Sequence, residues 1–289
     1  MKTYHLSYGK HRLELGTRTL IMGILNITPD SFSDGGKFFD TDIAVAQGEK
    51  MVAEGADILD IGGESTRPFS EAVSEEEETD RVLPVIEKLV RRVPVPISID
   101  TSKAGVARRA IRAGAAIIND ISALRLDPYM SGVASEYGVP VILMHMKGTP
   151  RTMQTAPVYE NLIGEVRAFF ENAVSNAEKS GISRSKLIID PGIGFGKTLE
   201  HNLLLIRHLR EFESFDLPLL IGVSRKAFIR NLLKDKDSKE ADPLSPEAEI
   251  GTQAAVAAAI LNGAHIVRVH NAAATRATAK IADAIRNIN

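Results

Sequence analysis

Residues 96–120 read PISIDTSKAGVARRAIRAGAAIIND. A short apolar run at 96–99 ends in Asp100. A segment at 103–112 follows, with apolar positions at three- and four-residue spacing. Gly114 closes it, and a second apolar run at 115–118 ends in Asn119. Runs so short and so nearly continuous in hydrophobicity read as strands buried on both faces. The spacing between them reads as an amphipathic helix. Gly114 reads as the helix stop, because glycine enters the left-handed region without a Cβ penalty. The stretch is a β-α-β unit, the element from which parallel sheets are built.

The unit recurs along the chain. Apolar runs lie at 19–25, 56–61, 96–99, 115–118, 139–144, 187–189, 218–221 and 265–269, eight in all. Helical spacing also fills 43–54, 79–90 and 247–261, and Gly55, Gly138, Gly181 and Gly263 precede further runs as Gly114 does. Eight alternating units in 289 residues predict an α/β fold, a (β/α)8 TIM barrel, with residues 1–289 as a single domain. An open doubly wound sheet is the competing arrangement, and the regularity of eight units favours the barrel. Residues 4–6 and 11–15, on either side of Gly9, predict a short N-terminal β-hairpin that plugs the amino-terminal face of the barrel. Two irregular stretches, 69–78 with its acidic run Glu75–Glu78 and 234–246, are read as solvated loops; the acidic run also suits a helix N-terminus.

Composition narrows the function. The 35 Lys and Arg nearly balance the 37 Asp and Glu, for a net charge of −2. That argues against general nucleic-acid or polybasic membrane binding. There is no cysteine, so disulfides, thiolate catalysis and cysteine-ligated metals are excluded. The first residues are polar and lack the apolar core of a signal peptide. The longest apolar run, 254–261, falls far short of the roughly 18 residues of a membrane span. A cytoplasmic location is the expectation.

Barrel enzymes carry their sites at the carboxy-terminal strand ends. In this chain those ends deliver Asn26, then Gly63-Glu64-Ser65-Thr66-Arg67, Asp100, Asn119, His145, Asp190, Ser224-Arg225-Lys226, and Arg268 with His270. Arg67, Lys226, Arg268, His270 and the hydroxyls of Ser65, Thr66 and Ser224 suit an anion. Asp100, Asn119 and Asp190 suit a neutral heterocycle with adjacent N–H donors, since a carboxylate accepts two parallel hydrogen bonds from such an edge. The bland alternative for Asp100 is a helix N-cap within Asp100-Thr101-Ser102. The glycine-rich stretch 192–198 misses the phosphate-loop pattern, having Pro191 where that pattern needs glycine. No histidine pair has zinc-ligand spacing. His201 and His208 are read as surface residues of a helix.

The stretches 22–36 (MGILNITPDSFSDGG) and 60–68 (DIGGESTRP) resemble the two signatures of the dihydropteroate synthase family. Further matches lie at 98–101, 118–121, 143–148, 190–197, 222–226 and 268–270, so the resemblance spans the whole barrel. The family joins 6-hydroxymethyl-7,8-dihydropterin diphosphate to p-aminobenzoate in folate biosynthesis, on a (β/α)8 barrel that is usually a homodimer. The resemblance implies that Asp100, Asn119, Asp190, Lys226 and Met144 hold the pterin. Asn26, Arg268, His270 and Ser224 face the diphosphate, and Asn26 helps to place Mg²⁺. Thr66, Arg67, Pro68, Phe195, Ser224 and Lys226 line the p-aminobenzoate pocket. Asp100, Lys226, Arg67, Asp34 and Phe32 form the catalytic set, with Phe32, Asp34 and Arg67 on loops that close over the site. Sulfonamides are the expected competitors. The rival readings are a methyltetrahydrofolate-type pterin methyltransferase, a silent pterin carrier, and a generic phosphate-handling barrel. None of these uses both the diphosphate groups and the heterocycle set.

Overall fold

The computed structural model describes residues 2–28, 41–65, 72–155, 157–234 and 242–288. The chain opens with β1 (Tyr4–Tyr8) and β2 (His11–Leu15), which pair antiparallel. Eight parallel strands follow: β3 (Leu20–Asn26), β4 (Ile58–Gly62), β5 (Ile97–Asp100), β6 (Ile117–Asp120), β7 (Val141–Met144), β8 (Leu187–Asp190), β9 (Leu220–Ile221) and β10 (Ile266–Val269). Their order is β8-β7-β6-β5-β4-β3-β10-β9. A parallel bridge between Ile189 and Leu219 joins β8 to β9 and closes the barrel. Each expected run thus becomes a strand. The strands are buried on both faces (Ile58–Gly62 is buried at every position), which is why they read as unbroken apolar runs.

Helices α1 (Thr41–Ala53), α2 (Glu75–Arg92), α3 (Ala104–Arg112), α4 (Met130–Tyr137), α5 (Leu162–Lys179), α6 (Leu199–Arg207), α7 (Ala227–Leu232), α8 (Pro246–Leu261) and α9 (Ala272–Asn287) lie outside the strands. Gly55, Gly114, Gly138, Gly181 and Gly263 all take positive φ, as helix stops require. A cluster that includes Leu59, Ile86, Ile111, Phe170, Leu205 and Ile260 packs the helices on the sheet. Leu6 and Leu15 of the hairpin bury against Met22, Ile58, Ile142, Ile188, Leu220 and Ile266 inside the barrel. The hairpin therefore plugs the barrel, as the two runs about Gly9 led one to expect. Among the described residues no helix is long and apolar enough to cross a membrane.

The structure decides between two pairs of readings. The acidic run Glu75–Glu78 takes the helix N-terminus reading and not the loop: it is the first turn of α2, capped by the Ser74 hydroxyl accepting from the Glu77 amide at 3.1 Å. Glu78 is fully buried, within 2.5 Å of Lys103 Nζ. Nor does Asp100 cap α3: the Asp127 carboxylate, from the loop before α4, accepts from the Ala104 amide at 2.7 Å. Of the second irregular stretch, residues 235–241 lie outside the described residues, and Pro246 opens α8.

Candidate functional site

The parallel register brings the strand ends level. Asn26 pairs with Gly62, Gly62 with Asp100, and Asp100 with Asn119 across β3 to β6; Met144 pairs with Asp190 across β7 and β8. Asp100, Asn119, Met144, Asp190, Lys226 and Arg268 consequently line one cavity at the carboxy-terminal mouth, with Ile121, Ile193 and Phe195. The polar groups come from five strand ends, and the apolar ones offer a slot for a flat ring.

Charge is concentrated there. Arg268 lies at the hub: its Nε donates to Asp60 Oδ2 at 2.6 Å and its outer guanidinium nitrogen donates to Asp100 Oδ2 at 2.6 Å. Burial works against its charge, but the two carboxylates overcome it and hold the guanidinium above its ordinary value. Burial pushes Asp100 up to about 7; Arg268 opposes that shift and Asp60 adds to it. Asp190 is pushed up to about 6 by burial, against the Gly192 amide and Lys226. The Gly192 amide donates to Asp190 Oδ1 at 2.8 Å. Both carboxylates stay ionisable near neutrality in a poorly solvated slot, where hydrogen bonds to a ligand are strong.

At the rim, Ser224 Oγ and His270 Nδ1 lie 2.9 Å apart and the His270 amide donates to the same hydroxyl. Lys226 Nζ stands 4.2 Å from the Phe195 ring centroid, a cation–π contact. Asn26 is half-buried at the end of β3. Phe32, Asp34, Thr66, Arg67 and Pro68 lie outside the described residues. Arg268 lines the cavity beside Asp100, and Ser224 and His270 are not part of that lining. His201 and His208 are half-buried, and His201 closes a capping box with Thr198.

Two buried charged residues behind the cavity were not singled out from sequence. Asp60 is fully buried in β4; its Oδ2 also accepts from Asn119 Nδ2 at 3.0 Å, and its Oδ1 has no partner among the described residues. The signal was a carboxylate inside an otherwise apolar strand. Lys197 lies in the glycine-rich loop after β8, buried, and burial pulls its pKa down to about 7. That loop is no phosphate cradle: the Gly192 and Gly194 amides are taken by Asp190 and Asn202.

Fold and cavity together define a heterocycle-binding (β/α)8 barrel with anion-binding groups at its mouth. A family described as pterin binding enzyme matches residues 22–270. A dihydropteroate synthase of Synechocystis is 47% identical over 280 residues, 97% of this chain and 94% of its own. A dihydropteroate synthase of Yersinia pestis, solved with a sulfonamide drug, superposes with a TM-score of 0.91 at 44% identity, over 98% of this chain and 100% of that one. One from Xanthomonas albilineans, solved with 4-aminobenzoic acid, gives 0.91 at 41% identity, over 100% of both chains. The chain belongs to the pterin-binding enzymes, and within them to the dihydropteroate synthase family.

Proposed function

We infer that the protein is a transferase that condenses 6-hydroxymethyl-7,8-dihydropterin diphosphate with p-aminobenzoate, giving 7,8-dihydropteroate and pyrophosphate. The observation that carries this reading is the cavity, in which Asp100, Asn119 and Asp190 face one slot together with Lys226 and Arg268. A 2-amino-pyrimidinone edge offers adjacent N–H donors to carboxylates, and an amide and an ammonium read its acceptors. The Ser224–His270 pair and Asn26 serve the diphosphate at the rim. Phe195 and Lys226 serve p-aminobenzoate, with Thr66, Arg67 and Pro68. Sulfonamides compete in that subsite.

The chemistry follows from the charges. An arylamine is a weak, neutral nucleophile, so the demanding step is cleavage of the C–O bond between the 6-methylene and the diphosphate. The electron-rich dihydropterin delocalises the positive charge that develops, and ionised Asp100 stabilises it electrostatically. Arg268, His270 and Ser224 stabilise the departing pyrophosphate anion by charge and hydrogen bonding. The amine then forms the C–N bond and loses one proton, and no side-chain nucleophile takes part.

Magnesium is a proposal of the same kind. Asn26 offers one amide oxygen, and among the described residues no group of three histidines and carboxylates converges to hold an ion alone. Mg²⁺ keeps several waters and takes one or two protein oxygens besides substrate phosphates, so this donor set fits an ion carried by the diphosphate. When bound it would neutralise leaving-group charge. The chain is further proposed to form a homodimer through α8 and α9, which leave Ile250, Ile281 and Ile285 exposed, and to work in the cytoplasm.

The test is pyrophosphate release with Mg²⁺, the pterin diphosphate and p-aminobenzoate, repeated with each left out. Release should require both organic substrates and yield a pteroate by mass. Pterin binding without release would support the carrier or methyltransferase reading instead.

A further inference from the structure

Lys197 is a buried amine, 3% exposed, that the chemistry above does not use. Its Nζ lies 2.9 Å from His145 Nδ1, 3.0 Å from the Phe195 carbonyl oxygen and 3.5 Å from the His145 carbonyl oxygen. An ammonium has three N–H donors, and three acceptors surround this one. His145 accepts at Nδ1 only as a neutral ring protonated at Nε2. Burial, with the charge of Lys197 adding to it, pulls His145 down to about 2, so the ring is neutral.

The three acceptors belong to two different loops. His145 leaves β7, and Phe195 lies in the loop that leaves β8. The β8 loop runs tight against the β7 exit: a Cβ on Gly192 would meet the His145 carbonyl oxygen at 2.0 Å, and one on Gly196 the Lys147 carbonyl oxygen at 2.6 Å. Each turn of the loop has its own tether. Gln154 Nε2 donates to the Gly194 carbonyl at 2.7 Å, the Tyr159 hydroxyl to the Gly196 carbonyl at 2.8 Å, and Lys197 to the Phe195 carbonyl. Lys197 thus holds the backbone of the residue over whose ring Lys226 is placed.

We propose that Lys197 is a positioning residue for the arylamine subsite: by tying the Phe195 carbonyl to His145, it fixes Phe195 where p-aminobenzoate binds. The inference rests on the reading of the cavity as a dihydropteroate synthase site. Lys197 touches neither substrate and acts through Phe195. The pterin ring is served by Asp100, Asn119 and Asp190, which Lys197 does not hold. Its loss should therefore weaken one substrate and spare the other, which general destabilisation would not do.

The experiment is two-substrate kinetics on the wild type, Lys197→Met and Tyr159→Phe. In Lys197→Met the KM for p-aminobenzoate should rise about tenfold, the loss expected when hydrogen bonds from a charged group disappear. The kcat and the KM for the pterin diphosphate should stay within about twofold of wild type. Tyr159→Phe removes the neighbouring tether without altering a buried charge and should show the same pattern with a smaller rise. Equal rises in both KM values, a fall in kcat alone, or no change overturn the proposal. If Lys197→Met does not fold, Tyr159→Phe decides, and its unchanged KM for p-aminobenzoate overturns the proposal. A wild type that releases no pyrophosphate overturns the function itself, and shows this before any variant is measured.

Discussion

Asp100 is held between opposed forces, and its pH behaviour follows from them. Burial raises its pKa from 3.8 to about 7, with Arg268 pulling the other way. On the proposed mechanism the ionised form is the one that stabilises positive charge on the 6-methylene. Turnover should therefore fall on the acid side of about pH 7 with a slope of one, as the carboxylate takes up its proton. Asp100→Asn should remove that limb and lower kcat by roughly 10²- to 10³-fold, the range for deleting one preorganised electrostatic group. A pH–rate profile of both proteins checks this, and full turnover by the variant would contradict charge stabilisation at Asp100. Stability runs the opposite way. With the folded pKa above the unfolded value, the native state holds a proton that the unfolded chain releases between 3.8 and about 7. The contribution of Asp100 to stability is thus lost as pH rises through that window, and the carboxylate is least stabilising where it is most useful.

At the scale of elements, the two ends of the barrel divide the work. The β1–β2 hairpin buries Leu15 against inward-facing residues of the strands, at the end opposite the cavity. Leu15→Ala should cost about 3 kcal/mol through lost transfer and an unfilled cavity, lowering Tm by about 5 °C. Neither substrate's KM should move; denaturant unfolding and steady-state kinetics report the two halves of this prediction. At the other end, Lys103 ties β4 to α2. Its Nζ lies 2.5 Å from both Glu64 and Glu78, and Glu64 accepts from the Val73 amide at 3.1 Å. Glu78 is fully buried, and burial raises its pKa despite that partner. Removing one member of a buried pair strands the other, so Lys103→Met should destabilise by about 3 kcal/mol at pH 8. The missing cation lets the folded Glu78 pKa rise further above its unfolded value, so the loss should shrink as Glu78 becomes protonated toward pH 5. An equal loss at both pH values would mean that the charge of Glu78 is not what Lys103 supports.

Across the whole molecule, what was legible in sequence is what local patterns encode. Strands buried on both faces leave continuous apolar runs, and Gly55, Gly114, Gly138, Gly181 and Gly263 mark helix stops because only φ matters there. Asp100, Asn119 and Asp190 could be placed because barrel geometry puts strand ends together. Asp60 and Glu78 were not found, because burying a charge depends on a partner brought by the fold. Asp60 meets Arg268 across 208 positions of sequence. Lys197 was hidden in a glycine-rich stretch whose amides serve Asp190 and Asn202, not a phosphate. These buried charges have a consequence for the barrel as a unit. A mouth that gathers Asp60, Asp100, Asp190 and Arg268 in one poorly solvated layer holds an empty site under electrostatic tension, and a ring with matching donors relieves it. 6-Hydroxymethylpterin, which carries the ring without the diphosphate, should therefore raise Tm at saturation. At about 100 times its Kd the gain is about 3 kcal/mol, or about 5 °C for a chain of this size. On the proposed function Asp190 accepts from the ring as a carboxylate, and burial pushes its pKa up to about 6. Below that pH the ring must compete with a proton, so at fixed ligand concentration the shift should be larger at pH 8 than at pH 5. Asp190→Asn should reduce the shift at pH 8 and weaken its dependence on pH, leaving the part that Asp100 supplies. A thermal-shift series over those conditions decides the point: a shift that grows toward acid would mean that the protonated carboxyl, not the carboxylate, meets the ring.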